Sequence, residues 1–203
     1  MEKVSVYIDG FNMYFGMLAK KLHHCKWLDF YALAEDLLKP EQKLVQVNYF
    51  TARVRDDEEK QRRQNVYLEA LEASGVNIIY GHYQSNHVKC YRCGHVWSNP
   101  NEKMTDVNIA THLLVDAYRD HYDTALLISG DSDLVPPIKA VLHNFGSKRI
   151  VAAFPPARKN IEVANSVSAY FNIGKRKLER NQLPEKIQKK DGFVLTKPVE
   201  WKS

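Results

Sequence analysis

Four aspartates and one asparagine are the residues of this sequence best suited to bind a metal ion. Asp9 follows the apolar stretch VSVYI, and Asp131 and Asp133 lie one residue apart after the apolar stretch TALLIS. Asp106 is the second residue of the helical pattern that begins TDVNI, and Asn12 lies in DGFNMY. Closely packed carboxylates repel one another unless a cation offsets their charge, and oxygen-only ligands suit Mg²⁺ or Mn²⁺. We therefore predict a shared acidic metal site.

A hard cation held by carboxylates favours the hydrolysis of phosphodiester bonds. The cation lowers the pKa of a bound water and stabilises the charge that develops on the phosphate during in-line attack. Motifs for competing chemistry are missing from the sequence: there is no G-x-x-x-x-G-K-[ST] phosphate loop, no G-x-G-x-x-G after the first apolar stretch and no G-x-S-x-G nucleophile elbow.

Each of these residues also has a purely structural interpretation. Asp106 suits the first turn of a helix, where a carboxylate interacts favourably with the helix dipole. Asp133 suits the N-cap of the helix that follows it, and Asn12 suits a turn. Such roles explain the residues only one at a time. Two apolar stretches that both end in aspartate favour a common site.

The elements that position these residues alternate between strand and helix patterns. Strands are predicted where β-branched and aromatic residues cluster, at residues 3–8, 43–52, 76–83, 124–129 and 149–154. Two helices are predicted to follow Asp29 and Thr105, which suit their N-caps. A third is predicted in the segment that begins with acidic residues and ends at Gly75, and a fourth begins near Pro136. This alternation indicates an α/β fold with a mostly parallel sheet between two layers of helices. The carboxyl ends of parallel strands meet at one edge, which would bring Asp9 and Asp131 together.

Length and composition suit a compact domain in a reducing compartment. The 203 residues are 44% hydrophobic and 26% charged. No stretch has the apolar length of a membrane span, the N-terminus lacks the core of a signal peptide, and three cysteines are too few for a disulfide framework. We therefore predict a cytoplasmic protein with no membrane partner.

The excess positive charge lies in the last 29 residues. Residues 175–203 contain 9 Lys and Arg against 4 Asp and Glu, whereas residues 1–174 contain 20 of each kind, so the net charge of +5 belongs to the tail. We predict a domain over residues 1–174 and a basic C-terminal extension over residues 175–203. The extension could attract a polyanion. Alternatively, the tail folds back as a structural clasp anchored by Trp201.

A second metal site is indicated by CYRCGH, in a predicted hairpin insertion at about residues 82–98. Cys90 and Cys93 have the spacing of a zinc knuckle, in which two thiolates bind Zn²⁺ from a tight turn. The other ligands would come from His82, His87, His95, the HHC at residues 23–25 or a second chain. The alternative is a hairpin whose cysteines are reduced and bind no metal.

The motifs VYIDGFNMY, EKMTDVNIATHLLVDAY, DTALLISGDSDLVPPIKAV and RIVAAFPP together resemble those of the NYN family, PIN-like domains related to bacterial LabA proteins. The resemblance implies a PIN-like three-layer α/β/α sandwich and a metal-dependent ribonuclease activity. It places Asp9, Asp106 and Asp131 in the metal site and Asp133 beside them. It also implies that Asn12 orients a water or a phosphate.

An RNA substrate at an acidic site needs cations around that site. Lys103 lies shortly before Asp106, and Arg158 and Lys159 follow FPP, so these three are candidate phosphate ligands. We predict an endoribonuclease. Two alternatives stay open on the sequence alone: a non-catalytic module that binds RNA or protein, and a phosphatase for small phosphoesters.

Overall fold

The structure is a computed structural model that describes residues 1–54 and 57–201, without the side chains of residues 83–88 and 97–103. The strands are β1 Glu2–Asp9, β2 Gln42–Thr51, β3 Asn77–Tyr80, β4 His82–Lys89, β5 Val96–Lys103, β6 Thr124–Ile128, β7 Arg149–Phe154, β8 Ala169–Asn172, β9 Lys186–Gln188 and β10 Val194–Thr196. The helices are α1 Gly10–Ala19, α2 Phe30–Leu37, α3 Glu58–Ala73, α4 Thr105–Tyr118, α5 Val135–Asn144, α6 Ile161–Ala164 and α7 Lys175–Arg180.

A six-stranded sheet with the order β3-β2-β1-β6-β7-β8 forms the centre of the fold, and each neighbouring pair in it is parallel. Residues of β1 alternate between its two faces. Val6 and Ile8 pack with α1, α2, α3 and α7, whereas Tyr7 packs with α4, α5 and α6. This alternation produces two apolar cores and confirms the predicted α/β sandwich.

Two local predictions were wrong. The predicted strand at residues 76–83 is two strands, because β3 ends at Tyr80 and the chain then leaves the sheet through Gly81 into β4. Thr105 is not the N-cap of α4 but its first residue. Met104, in a left-handed conformation with φ 76°, holds the cap position, since the chain must turn sharply there on leaving β5. Asp29, by contrast, caps α2 as predicted.

An antiparallel hairpin projects from the sheet between β3 and α4. It pairs β4 with β5, from His82 opposite Lys103 to Lys89 opposite Val96. CYRCGH forms its tip, where the amide of Cys90 donates to the carbonyl of His95 over 2.8 Å. The hairpin therefore runs over residues 82–103 and leads directly into the helix that carries Asp106.

The C-terminal residues 175–201 pack against the rest of the molecule. Leu178 and Leu195 are buried in the first core, and the indole of Trp27 donates to the carbonyl of Pro184 over 2.9 Å. Trp201 stands edge-on to Trp27 and Tyr67, with ring centroids 6.1 and 5.5 Å away. These contacts are those of a structural clasp. Among the described residues, no helix is both long and apolar enough to cross a membrane.

We expect Leu178→Ala to lower the free energy of unfolding by about 2–5 kcal/mol, because it leaves a cavity in the core beneath α7. Val199→Ala, in the same segment but 77% exposed, is the matched control and should change stability by less than about 0.5 kcal/mol. Urea unfolding measures both. Equal, small effects of the two substitutions would contradict the clasp.

Candidate metal and nuclease site

Asp9 lies at the carboxyl end of β1 and caps helix α1. Its Oδ1 accepts the amide of Asn12 over 2.9 Å, and its Oδ2 accepts the hydroxyl of Ser129 over 2.9 Å. The side chain is buried. Gly10 lets the helix begin here, because a Cβ at this position would lie 2.5 Å from the ring of Tyr49. Strand end, cap and close packing together hold the carboxylate in one orientation.

Asp106 and Asp131 bring their carboxylates to Asp9 from two other elements. Asp131 follows β6, whose Ile128 is paired with Ile8, so Asp131 leaves the sheet beside Asp9. Asp106 comes from the first turn of α4. One oxygen from each of the three carboxylates lies within 4.8 Å of the others, and all three residues line a cleft of about 200 Å³.

A short chain of hydrogen bonds links the two strand ends. The amide of Asp131 donates to the Oγ of Ser129 over 3.1 Å, and that hydroxyl donates to Asp9. The side-chain oxygen of Asn12 accepts the amide of Gly130 over 3.1 Å. Gly130 is required sterically, since a Cβ there would meet the carbonyl oxygen of Arg158 at 1.8 Å. The loop after β6 is thus held against the start of α1.

Asp133 lies beside the three carboxylates but is not part of their cluster. It is exposed, and its amide donates to Oδ1 of Asp131 over 3.0 Å, which makes Asp131 the cap of the turn that contains Asp133. Its negative charge still contributes to raising the pKa of Asp106. Asp133 is therefore an outer carboxylate of the site.

Burial and mutual repulsion make the site electrostatically unfavourable without a cation. Burial, reinforced by Asp106 and Asp131, raises the pKa of Asp9 from 3.8 to about 6, although hydrogen bonds from Asn12 and Ser129 oppose the rise. Burial and the charges of Asp131 and Asp133 raise the pKa of Asp106. A divalent cation bound between the three oxygens would relieve this repulsion, and carboxylate oxygens are the ligands that Mg²⁺ and Mn²⁺ prefer.

The three candidate phosphate ligands have different surroundings. Arg158 lines the acidic cleft, and its Nε is buried without a hydrogen-bond partner among the described residues. Lys159 extends over the ring of Tyr170, with its Nζ 4.9 Å from the ring centroid. The side chain of Lys103 lies outside the described part of the chain. Of the described candidates, Arg158 is the one positioned at the cleft.

The tip of the hairpin favours the thiolate form of Cys90. The pKa of Cys90 is lowered by the backbone amides of Cys93 and Arg92, which donate to its sulfur, and then by the thiol of Cys93. Among the described side chains, the aspartate cluster is the one group of three or more residues that could hold a metal ion. Cys90 and Cys93 alone therefore offer no more than two ligands to a metal ion, and the side chain of His87 lies outside the described part.

Sequence reasoning missed Ser129 and the aromatic wall of the cleft. Ser129 is buried and orients Asp9; the signal is its place in ISGDSD, between the strand and Asp131. Phe11 and Phe15 line the cleft from α1, one helical turn apart. No helix had been predicted directly after Asp9, so their common face was not apparent.

Comparisons with known proteins extend over nearly the whole chain. The curated 6-hydroxy-3-succinoylpyridine 3-monooxygenase HspA of Pseudomonas putida is 24% identical over 241 aligned positions, which cover 98% of this chain and 75% of that protein. A crystal structure of a protein of unknown function from Vibrio parahaemolyticus superposes with a TM-score of 0.61 at 17% identity, covering 86% of this chain and 94% of that one. At that identity the likeness shows the fold alone.

The family model for the NYN domain matches residues 3–189. The match begins at β1, includes every strand and helix that contributes to the acidic cleft, and continues into the C-terminal segment. The chain therefore belongs to the NYN domain family.

Proposed function

We propose that this protein is a metal-dependent endoribonuclease that hydrolyses phosphodiester bonds of RNA at Asp9, Asp106 and Asp131. The observation that supports this most directly is the convergence of the three carboxylates within 4.8 Å in a nuclease-like NYN fold. The three carboxylates repel one another and offer only oxygen ligands, and both properties suit Mg²⁺ or Mn²⁺. When bound, such an ion supplies a hydroxide from water and stabilises negative charge on the phosphate.

The residues around the cluster have distinct proposed roles. Asn12 and Ser129 hold the loop after β6 and the carboxylate of Asp9 in place. Asp133, exposed beside Asp131, is suited to accept a proton from water at the edge of the cleft. Arg158 would bind the scissile phosphate, since its buried, unpartnered Nε lies at the cleft. Lys103 and Lys159 would contact flanking phosphates.

A second candidate function comes from the curated relative. That protein is named as a monooxygenase of a succinoylpyridine, and this chain has a large aromatic cavity beside its acidic cleft. A small aromatic acid is therefore a second candidate substrate. The nuclease proposal is favoured because the acidic cluster suits a metal ion that can drive hydrolysis, whereas the cavity by itself offers only a binding surface.

We expect purified protein to cleave single-stranded RNA with Mg²⁺ or Mn²⁺ and to be inactive in excess chelator. Asp131→Asn should lower kcat/KM by about 10²-fold or more, because a ligand charge is lost where the reaction needs it. The variant should fold normally, since an asparagine oxygen still accepts the amide of Asp133. Cleavage of labelled RNA, single-stranded DNA and a small phosphate ester should be measured in parallel.

Asp191→Asn is the matched control for this substitution. Asp191 also caps a tight turn, accepting the amide of Phe193 over 3.0 Å, but it lies in the C-terminal segment. It should retain full activity. Unchanged cleavage by Asp131→Asn, or by wild type in chelator, would exclude the mechanism, and turnover of the small ester alone would indicate a phosphatase.

We expect Asp9→Asn to stabilise the metal-free protein above pH 6. Because the pKa of Asp9 is about 6 in the folded protein and 3.8 ordinarily, the unfolded chain loses its proton first and stability falls as pH rises between these values. The asparagine removes this cost, a gain of about 1–3 kcal/mol at pH 8 and none at pH 3.

Urea unfolding in chelator at pH 3 and pH 8 tests this expectation. Added Mn²⁺ should stabilise the wild type and leave Asp9→Asn nearly unchanged, because the variant lacks a ligand. A variant no more stable than wild type at pH 8 would show that the repulsion at Asp9 is not significant.

We also propose that Cys90 and Cys93 bind structural Zn²⁺ at the hairpin tip. The amides that donate to the sulfur of Cys90 are the support for this proposal. Two further ligands are needed: His87 would supply one of them, or the cysteine pair of a second chain would supply both, so we expect one zinc per chain or one per two chains.

Elemental analysis of protein purified without chelator measures this ratio. Cys90→Ser and Cys93→Ser should lose the zinc. Cys25→Ala, at the buried third cysteine, should keep it. Wild-type protein without zinc would refute the site.

A further inference from the structure

A cavity of about 740 Å³ lies next to the acidic cleft, between α1, the end of β2, α3 and the turn at Val199–Trp201. Its size is within the range of pockets that enclose small ligands. Several aromatic residues line it, including Phe11, Tyr14, Phe15, Tyr49, Tyr67 and Trp201. Surfaces of this kind favour a flat, unsaturated ring.

The cavity and the acidic cleft share one wall. Phe11 and Phe15 line both spaces, and their rings are nearly parallel, at 26°, with centroids 6.2 Å apart. Phe15 is 47% exposed, and Tyr14, 37% exposed, stands edge-on to it at 5.4 Å. All three aromatic residues lie on α1, the helix that Asp9 caps. A ligand in the cavity would therefore lie one ring away from the metal-binding carboxylates.

The cavity also carries positive charge. Lys26, Lys60 and Arg63 line it, against two acids, Asp57 and Glu200. Lys60 is paired with Asp57 at 3.0 Å, and Arg63 lies 3.3 Å from Glu200.

Lys26 is the third cation of the cavity lining, and it differs from Lys60 and Arg63 in its surroundings. Among the described residues, no carboxylate lies within ion-pair distance of its Nζ, which stands 5.8 Å from the ring centroid of Tyr14. Burial and the neighbouring charge of Arg63 lower its pKa. An anionic group would satisfy this lysine.

We propose that the cavity binds one unpaired nucleobase of the substrate strand, next to the scissile phosphate, with Lys26 binding the phosphate of that nucleotide. The identity of the ligand rests on the proposed nuclease function. The aromatic walls fit a base, the lysine fits a phosphate, and the shared wall places the next phosphate at the acidic cleft. A paired base would first have to be unpaired and unstacked, which costs free energy, so the cavity favours a single-stranded substrate.

Binding of nucleoside 5′-monophosphates to the full chain in chelator tests the cavity without any cleavage. Calorimetry should detect binding of at least one of AMP, GMP, CMP and UMP. Lys26→Met should weaken it roughly tenfold or more, because a charge-assisted contact to the phosphate is lost. The corresponding nucleoside should bind more weakly than its monophosphate and be insensitive to the substitution.

Lys43→Met is the matched control. Lys43 is exposed near the start of β2, at the opposite end of the sheet from the acidic cleft, and the substitution should leave nucleotide binding unchanged. Equal weakening by both substitutions would show a general charge effect and overturn the role of Lys26.

The two proposals fail separately in these experiments. Metal-dependent RNA cleavage without any nucleotide binding would overturn the cavity proposal and leave the nuclease standing. Nucleotide binding that depends on Lys26, without cleavage of RNA, would support the cavity and reject the nuclease. If a pyridine carboxylate binds with Lys26 dependence and the four nucleotides do not, the cavity belongs to a small aromatic acid and the proposal is wrong.

Discussion

The parallel register of β1 and β6 is the constraint on which the candidate site depends, because it holds carboxylates together that repel one another. Asp9 and Asp131 leave neighbouring parallel strands whose residues are locked in register, with Ile8 opposite Ile128. Asp106 is fixed by the first turn of α4. Separating the charges would require moving a strand end or a helix, and both are anchored in apolar cores. The energy of those cores therefore maintains a site that is unfavourable without a cation.

A second buried carboxylate shows what a structural acid in the same fold looks like. Asp116 accepts the hydroxyl of Tyr7 over 2.7 Å and the amide of Gln46 over 2.9 Å, and His121 lies 3.1 Å from its other oxygen. Each oxygen has a polar partner, and no other carboxylate is among the partners shown. Asp9, in contrast, faces two further acids. A structural acid such as Asp116 is surrounded by hydrogen-bond donors, whereas a candidate metal ligand such as Asp9 has other carboxylates as neighbours.

The sequence was most informative where backbone geometry alone determines position. Apolar strands ending in aspartate, together with the parallel arrangement, were enough to bring Asp9 and Asp131 to one edge. Predictions failed where an element boundary depends on how the chain connects one strand or helix to the next. The hairpin divides the stretch at residues 76–83, and its return makes Met104 the cap of α4 instead of Thr105. Ser129 was missed, because its place beside Asp131 in the sequence does not reveal its hydrogen bond to Asp9, a residue 120 positions away.

The C-terminal segment contributes to the aromatic cavity beside the acidic cleft, a role that its positive charge did not indicate. Part of its positive charge is already neutralised within the molecule, since Lys177 lies 3.2 Å from Asp36 and Lys189 lies 2.9 Å from Glu69. The same segment places Trp201 in the wall of the aromatic cavity. Attraction of a polyanion by the whole tail would act at long range and would be screened by salt. Trp201 acts at contact distance, so the segment would influence a ligand mainly by completing the cavity.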